Sequence, residues 1–115
     1  MQHLVFVYGT LRQGEVNSHL LANSELLGQF ETGPHYALFD LGEYPAISDG
    51  EQSILGEVYR IDDTTLANLD VLEDVPNEYR RSSLDTPFGK AWVYLYQDES
   101  KLSVPIQSGD WCYKV

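Results

Sequence analysis

The run His3-Leu4-Val5-Phe6-Val7-Tyr8 constrains the fold most, because it is apolar, β-branched or aromatic almost throughout and has no alternating polar face. A strand of that composition is disfavoured at a surface and calls for packing on both sides, so it is expected in the middle of a sheet. Gly9 stops it, and the remaining elements must be arranged around it.

Shorter signals follow along the chain. The stretch 17–23 can form a short helix with Asn17 as its cap. Segments 26–32 and 35–40 read as strands separated by the turn signal Gly33-Pro34. Leu41-Gly42-Glu43-Tyr44-Pro45-Ala46 carries a glycine and a proline and is expected to be an irregular loop presenting an aromatic ring. Residues 54–61 alternate as a strand does, with Ile54, Gly56, Val58 and Arg60 on one side and Leu55, Glu57, Tyr59 and Ile61 on the other.

Asp62 or Asp63 then caps a helix marked by Leu66, Leu69 and Leu72. Pro76 cannot continue it, so residues 73–75 are its last turn or its exit. Residues 79–86 and 91–96 flank Pro87-Phe88-Gly89-Lys90 and read as a hairpin. Strands dominate, which predicts an α+β domain, spanning 1–115, with a strongly curved or closed sheet. A curved sheet of this kind has a mouth where strand ends and loops can build a pocket.

Charge narrows the partners. Seven basic residues against eighteen acidic ones give a formal charge of -11, which repels phosphate backbones and anionic membrane surfaces. Neither nucleic acid nor a membrane is expected as partner. Cys112 is the only cysteine, so no internal disulfide forms; it is expected as a small, partly buried apolar residue rather than a nucleophile. Without a basic leader or an apolar run of membrane-spanning length, the expected location is the cytoplasm.

Most familiar catalytic signatures are missing: no Gly-x-Ser-x-Gly elbow, no phosphate loop, no dinucleotide fingerprint and no metal-ligand spacing. His3, His19 and His35 lie on separate elements, and neither a metal nor a cofactor is expected. Two local features remain. Tyr8-Gly9-Thr10-Leu11 follows the first strand, where a glycine turn can aim successive backbone N–H groups at an anion, although such turns also serve structure alone. Glu73 sits at the helix exit, where the carbonyl end of the helix disfavours an anion and raises a carboxyl pKa. Asp74 lies beside it, and the sequence does not say which acid points inward.

These residues together resemble a known family. Val7-Tyr8-Gly9-Thr10-Leu11, Gly42-Glu43-Tyr44-Pro45-Ala46, Gly56-Glu57-Val58-Tyr59 and the final Gly109-Asp110-Trp111 match it in order. So does Leu-Asp-x-x-Glu-x-x-Pro-x-x-Tyr-x-Arg, formed by Leu69, Asp70, Glu73, Pro76, Tyr79 and Arg81. The pattern resembles the gamma-glutamylcyclotransferase-like family, above all its short bacterial members of the YtfP type and gamma-glutamylamine cyclotransferase. The resemblance implies a small mixed β-barrel with a few short helices outside it. It further implies release of 5-oxoproline from a gamma-glutamyl amine or amino acid, without a cofactor. In its terms Glu73 is the catalytic acid/base, and Tyr8, Gly9, Thr10 and Leu11 bind the gamma-glutamyl group. Some short bacterial relatives lack the acid; this chain keeps it.

Tyr44, Tyr59 and Tyr94 are candidates for the pocket wall or for core packing. Arg12 either meets a substrate carboxylate or lies on the surface, and Arg81 is placed to pair with Asp70. The competing expectation is a non-catalytic module that binds a gamma-glutamyl or other small carboxylate ligand on the same fold. The leaving amine and the oligomeric state are not legible.

Overall fold

The computed structural model describes residues 1–114. Its elements are β1 (Gln2–Val7), β2 (Glu25–Glu31), β3 (Tyr36–Asp40), β4 (Pro45–Asp49), β5 (Leu55–Asp62), α1 (Asp63–Leu72), β6 (Tyr79–Thr86) and β7 (Gly89–Tyr96). Short 3₁₀ turns occur at Ser18–Leu21 and Glu99–Lys101.

The apolar first strand takes the central place its composition demands. The main sheet has the order β2-β5-β1-β7-β6, with β1 antiparallel to β5 and parallel to β7. Val5 and Val7 point into one core layer with Leu66 and Leu69 of α1, whereas Phe6 and Tyr8 point into another with Leu38, Ile47 and Trp111. Val5 and Phe6 are wholly buried. Burial of such side chains contributes about 1.5–3 kcal/mol each, enough to hold β1 between two layers.

Only one face of α1 meets the sheet. Asp62 is its N-cap and accepts a hydrogen bond from the Thr65 N–H at 2.7 Å. Leu66 and Leu69 are buried, while Leu72, expected on the same stripe, is exposed. A helix this short is marginal alone and depends on that packing. It ends at Glu73, whose N–H donates to the Leu69 carbonyl at 2.9 Å.

Three expectations change. The closed barrel is not what forms: the main sheet is open, with β2 and β6 as its edges, and β3 and β4 pair separately as a two-stranded sheet. That hairpin packs against the main sheet through β4 and β7, covering one face instead of closing the edge-to-edge circle. Residues 45–49, not expected as a strand, form β4, because antiparallel pairing with β3 from Tyr36↔Asp49 to Asp40↔Pro45 imposes extended backbone; Pro45 is tolerated as its first residue. Asn17 precedes a 3₁₀ turn but makes no capping bond; its Nδ2 donates to Thr10 Oγ1 at 3.0 Å.

Candidate active site

Where β1 ends, Gly9 and Pro45 come together. A Cβ on Gly9 would overlap the Pro45 ring, with Cδ at 2.7 Å. Glycine is therefore required here for close approach, bringing the loop before β4 against the turn after β1. Tyr79 at the start of β6 locks the arrangement by donating from its hydroxyl to the Pro45 carbonyl at 2.7 Å. Between these pieces and the end of α1 lies a cavity of about 580 Å³.

The turn after β1 lines this cavity with Tyr8, Gly9, Thr10 and Leu11. Its internal hydrogen bonds run from Arg12 N–H to the Gly9 carbonyl and from Asn17 N–H to the Thr10 carbonyl, at 3.0 and 2.9 Å. No described residue accepts a hydrogen bond from the backbone N–H of Gly9, Thr10 or Leu11. Successive free N–H donors at a pocket wall suit a carboxylate or an oxyanion.

Glu73 lines the same cavity, and Asp74 does not. Asp74 has left-handed backbone, φ 50°, and its side chain is exposed; its Oδ1 accepts from Asn77 Nδ2 at 3.2 Å. The chain reversal at the helix exit thus separates adjacent acids, one toward the cavity and one toward solvent. Glu73 has its carboxyl pushed up to about 7, first by burial and then by the negative charge of Glu78. Desolvation, rather than the helix end alone, is the main cause, and a carboxyl raised this far is able to take up and release a proton near neutrality.

Tyrosines and acids complete the wall. Tyr8 donates to the Tyr94 carbonyl at 2.7 Å, Tyr94 donates to Asp70 Oδ1 at 2.8 Å, and Arg81 Nε pairs with the same Asp70 oxygen at 3.3 Å. Burial raises the pKa of Tyr8 and Tyr94, so both stay neutral hydrogen-bond donors. Tyr44 donates to Glu78 Oε1, and that bond, followed by burial, raises its own pKa to about 12. Glu43, Glu73 and Glu78 all line the cavity, and among the described residues no Lys, Arg or His does.

Among the residues singled out in sequence, Tyr8, Gly9, Thr10, Leu11, Tyr44, Glu73 and Tyr94 are brought to one cavity. Tyr59 is not. It is buried in the core layer beside α1, and its hydroxyl donates to Glu57 Oε1 at 3.1 Å, because β5 presents that face to the helix and not to the pocket. Arg12 is neither at the surface nor on the cavity wall: it is 5% exposed and paired with Glu57 and Asp110. Cys112 is exposed rather than partly buried.

Glu78 and Tyr79 were not anticipated as lining residues. Tyr79 at least stands in the Pro-x-x-Tyr-x-Arg spacing, whereas Glu78 carries no sequence signal. No group of three or more His, Cys, Asp or Glu among the described residues is placed to hold a metal ion.

This geometry can be set beside known proteins. The sequence profile of the family described as Gamma-glutamyl cyclotransferase, AIG2-like matches residues 5–113, nearly the whole chain and every residue of the cavity wall. The chain belongs to that family. A protein of Vibrio cholerae, whose name assigns it provisionally to the gamma-glutamylcyclotransferases, is 63% identical over 115 residues, covering 100% of both chains. The gamma-glutamylcyclotransferase family protein YtfP of Escherichia coli is 48% identical over 110 residues, covering 93% of this chain and 94% of its own.

Solved structures agree on the mixed α+β architecture. The solution structure of E. coli YtfP matches with a TM-score of 0.77 at 47% identity, over 94% of this chain and 95% of its own. An uncharacterised Pyrococcus horikoshii protein matches with a TM-score of 0.83 at 28% identity, over 95% and 89% respectively. No helix among the described residues is long and apolar enough to cross a membrane.

Proposed function

We propose that this family member is an active gamma-glutamyl cyclotransferase, releasing 5-oxoproline from a gamma-glutamyl amine or amino acid by intramolecular aminolysis. Its catalytic residue in this reading is Glu73. The observation that carries the proposal is the pairing, in one cavity, of a carboxyl group raised to about 7 with the free N–H groups of the turn after β1.

The chemistry asks for little more. The substrate's α-ammonium gives a proton to the Glu73 carboxylate, and the freed amine attacks the γ-carbonyl carbon. A five-membered ring closes through a tetrahedral oxyanion. The bond from that carbon to the leaving nitrogen then breaks as Glu73 returns a proton to it. Over the cycle two protons leave the α-nitrogen, and the leaving amine departs as its ammonium ion. Because the nucleophile is tethered to its target, much of the entropic cost of bringing reactants together is met within the substrate.

The three acids on the wall attract the ammonium end of the substrate, and the N–H groups of Gly9, Thr10 and Leu11 receive its carboxylate or the oxyanion. Tyr8, Tyr44 and Tyr94 form the wall against which the folded chain lies. Work in the cytoplasm on a small-molecule substrate, without a cofactor, completes the reading.

The deciding experiment incubates the protein with a panel of gamma-glutamyl amines and dipeptides and measures 5-oxoproline. Product from the parent protein, reduced at least about a hundredfold in Glu73→Gln, is expected. Saturable binding without product would instead make the chain a binding module, and undiminished turnover by Glu73→Gln would remove Glu73 from the mechanism.

A further inference from the structure

The turn that follows β1 is tied to the rest of the protein in an unusual way. Among the described residues, every long-range hydrogen bond leaving residues 9–16 ends on Glu57, Asp110 or Trp111. Arg12 Nε donates to Glu57 Oε2 at 3.1 Å and Arg12 Nη1 donates to Asp110 Oδ1 at 2.6 Å. The N–H of Gln13 donates to Glu57 Oε1 at 2.9 Å, and Trp111 Nε1 donates to Glu15 Oε1 at 2.8 Å. The other hydrogen bonds of the segment are local, within the turn or to Asn17 and Ser18.

Two of the anchors are themselves firmly held. Glu57 is 4% exposed on β5 and also accepts from the Tyr59 hydroxyl. Asp110 follows Gly109, which has φ +71° and whose carbonyl accepts from the Leu55 N–H at 2.9 Å. A side chain on Gly109 would meet the Ser53 carbonyl, so glycine there lets the C-terminal segment come in close to β5. The carboxylate of Asp110 is fixed in turn by accepting from the Cys112 N–H at 2.9 Å.

We propose that Arg12 is a positioning residue: held by Glu57 and Asp110, it fixes the turn whose free N–H groups receive the substrate's anionic group, without touching substrate itself. This rests on the reading of that turn as the substrate's anion site. A guanidinium is a planar fork that fixes direction at two carboxylates at once, whereas an ammonium is a compact point charge without that geometry. Backbone donors act on an oxyanion or carboxylate only at hydrogen-bond distance, so a displacement of about 1 Å weakens them severely. Arg12 thereby connects the position of the turn to β5 and the C-terminal segment.

The test uses Arg12→Lys and Asp110→Asn, with Arg60→Lys on an exposed ion pair as control. Amide spectra and hydrogen exchange report the turn directly, L-glutamate serves as binding probe, and 5-oxoproline release gives KM and kcat. In both variants the amides of residues 9–13 are expected to shift, and the hydrogen-bonded amides of Arg12 and Gln13 to exchange at least about tenfold faster, with L-glutamate binding weakened about tenfold. KM is expected to rise about tenfold, and kcat to fall by less. A general loss of stability would lower kcat through the active fraction and leave KM in place.

Folded variants with unchanged turn amides, or with unchanged KM and L-glutamate binding, would overturn the proposal. So would failure of both variants to fold, since the cluster would then be a folding element. If the parent releases no 5-oxoproline but L-glutamate shifts its turn amides, the catalytic reading fails and the amide and binding arms still decide the role of Arg12. If L-glutamate neither shifts these amides nor competes with turnover, the role assigned to the turn is lost and the positioning proposal falls with it.

Discussion

Glu73 and Glu78 line the same cavity, and the charge of Glu78 adds to burial in raising the Glu73 carboxyl to about 7. Tyr44 donates a hydrogen bond to Glu78, so the second acid is held by a partner while the first has none among the described residues. The two carboxyl groups of one pocket are thereby electrostatically distinct: in the proposed reaction Glu73 exchanges a proton, and Glu78 sets the potential in which it does so.

A pH dependence follows from that relationship. The base form of Glu73 is its carboxylate, so 5-oxoproline release should fall as pH drops through about 7. Removing the neighbouring charge in Glu78→Gln should move this acid limb to lower pH. Rate profiles of kcat/KM for the two proteins, on one substrate, make the comparison; a limb that stays in place would mean that Glu78 does not act on the titrating group.

Stability should carry the same signature. A carboxyl whose folded pKa is raised favours the protonated folded state, so its contribution is fully present below the unfolded value of about 4.3 and is lost as pH rises through about 7. Glu73→Gln should therefore match the parent near pH 4 and exceed it above neutrality, by on the order of 2–3 kcal/mol. Urea denaturation at the two pH values measures this. An equal offset at both would show that the ionisation of Glu73 is not the cause.

Neighbouring acids give a sharper contrast. Asp74 is exposed, off the cavity wall, and in left-handed backbone that asparagine also tolerates. Asp74→Asn should leave kcat/KM within about threefold of the parent, whereas Glu73→Gln should abolish most turnover. Comparable losses in both would mean that charge near the helix exit matters, and not the particular group facing the cavity.

Gly9→Ala tests the close approach that shapes the pocket. The added methyl meets the Pro45 ring, a rigid neighbour. Overpacking of this kind costs about 1–3 kcal/mol, and the loss should appear in thermal or urea unfolding together with weaker substrate binding. Full stability with unchanged KM would show that the turn and the loop before β4 can separate without consequence.

Much of the framework was legible along the chain. The apolar run became β1, the alternating run became β5, and the pair around Pro87-Phe88 became the β6–β7 hairpin, because side-chain periodicity and turn residues act over a few positions. A helix cap at Asp62 or Asp63 and the stop before Pro76 were legible for the same reason, and the structure places the cap at Asp62. β4 was not. Its Pro45 reads as loop, and only pairing with β3 makes the segment extended. Nor does a list of strands say whether β2 and β6 meet, which is why a closed barrel could be expected where the sheet is open.

The amino-acid sequence by itself determined a strand-rich α+β chain with an apolar central strand, a glycine turn after it and two adjacent acids at a helix exit. Choosing between those acids required the tertiary structure: a reversal at Asp74 sends one carboxylate to solvent, while packing against the sheet holds the other in the cavity. The same is true of Arg12, which meets Glu57 and Asp110 across 45 and 98 residues of chain. Local preferences act between neighbours, but burial and ion pairing depend on what distant segments bring alongside. The chemistry of this site is set by that second kind of contact.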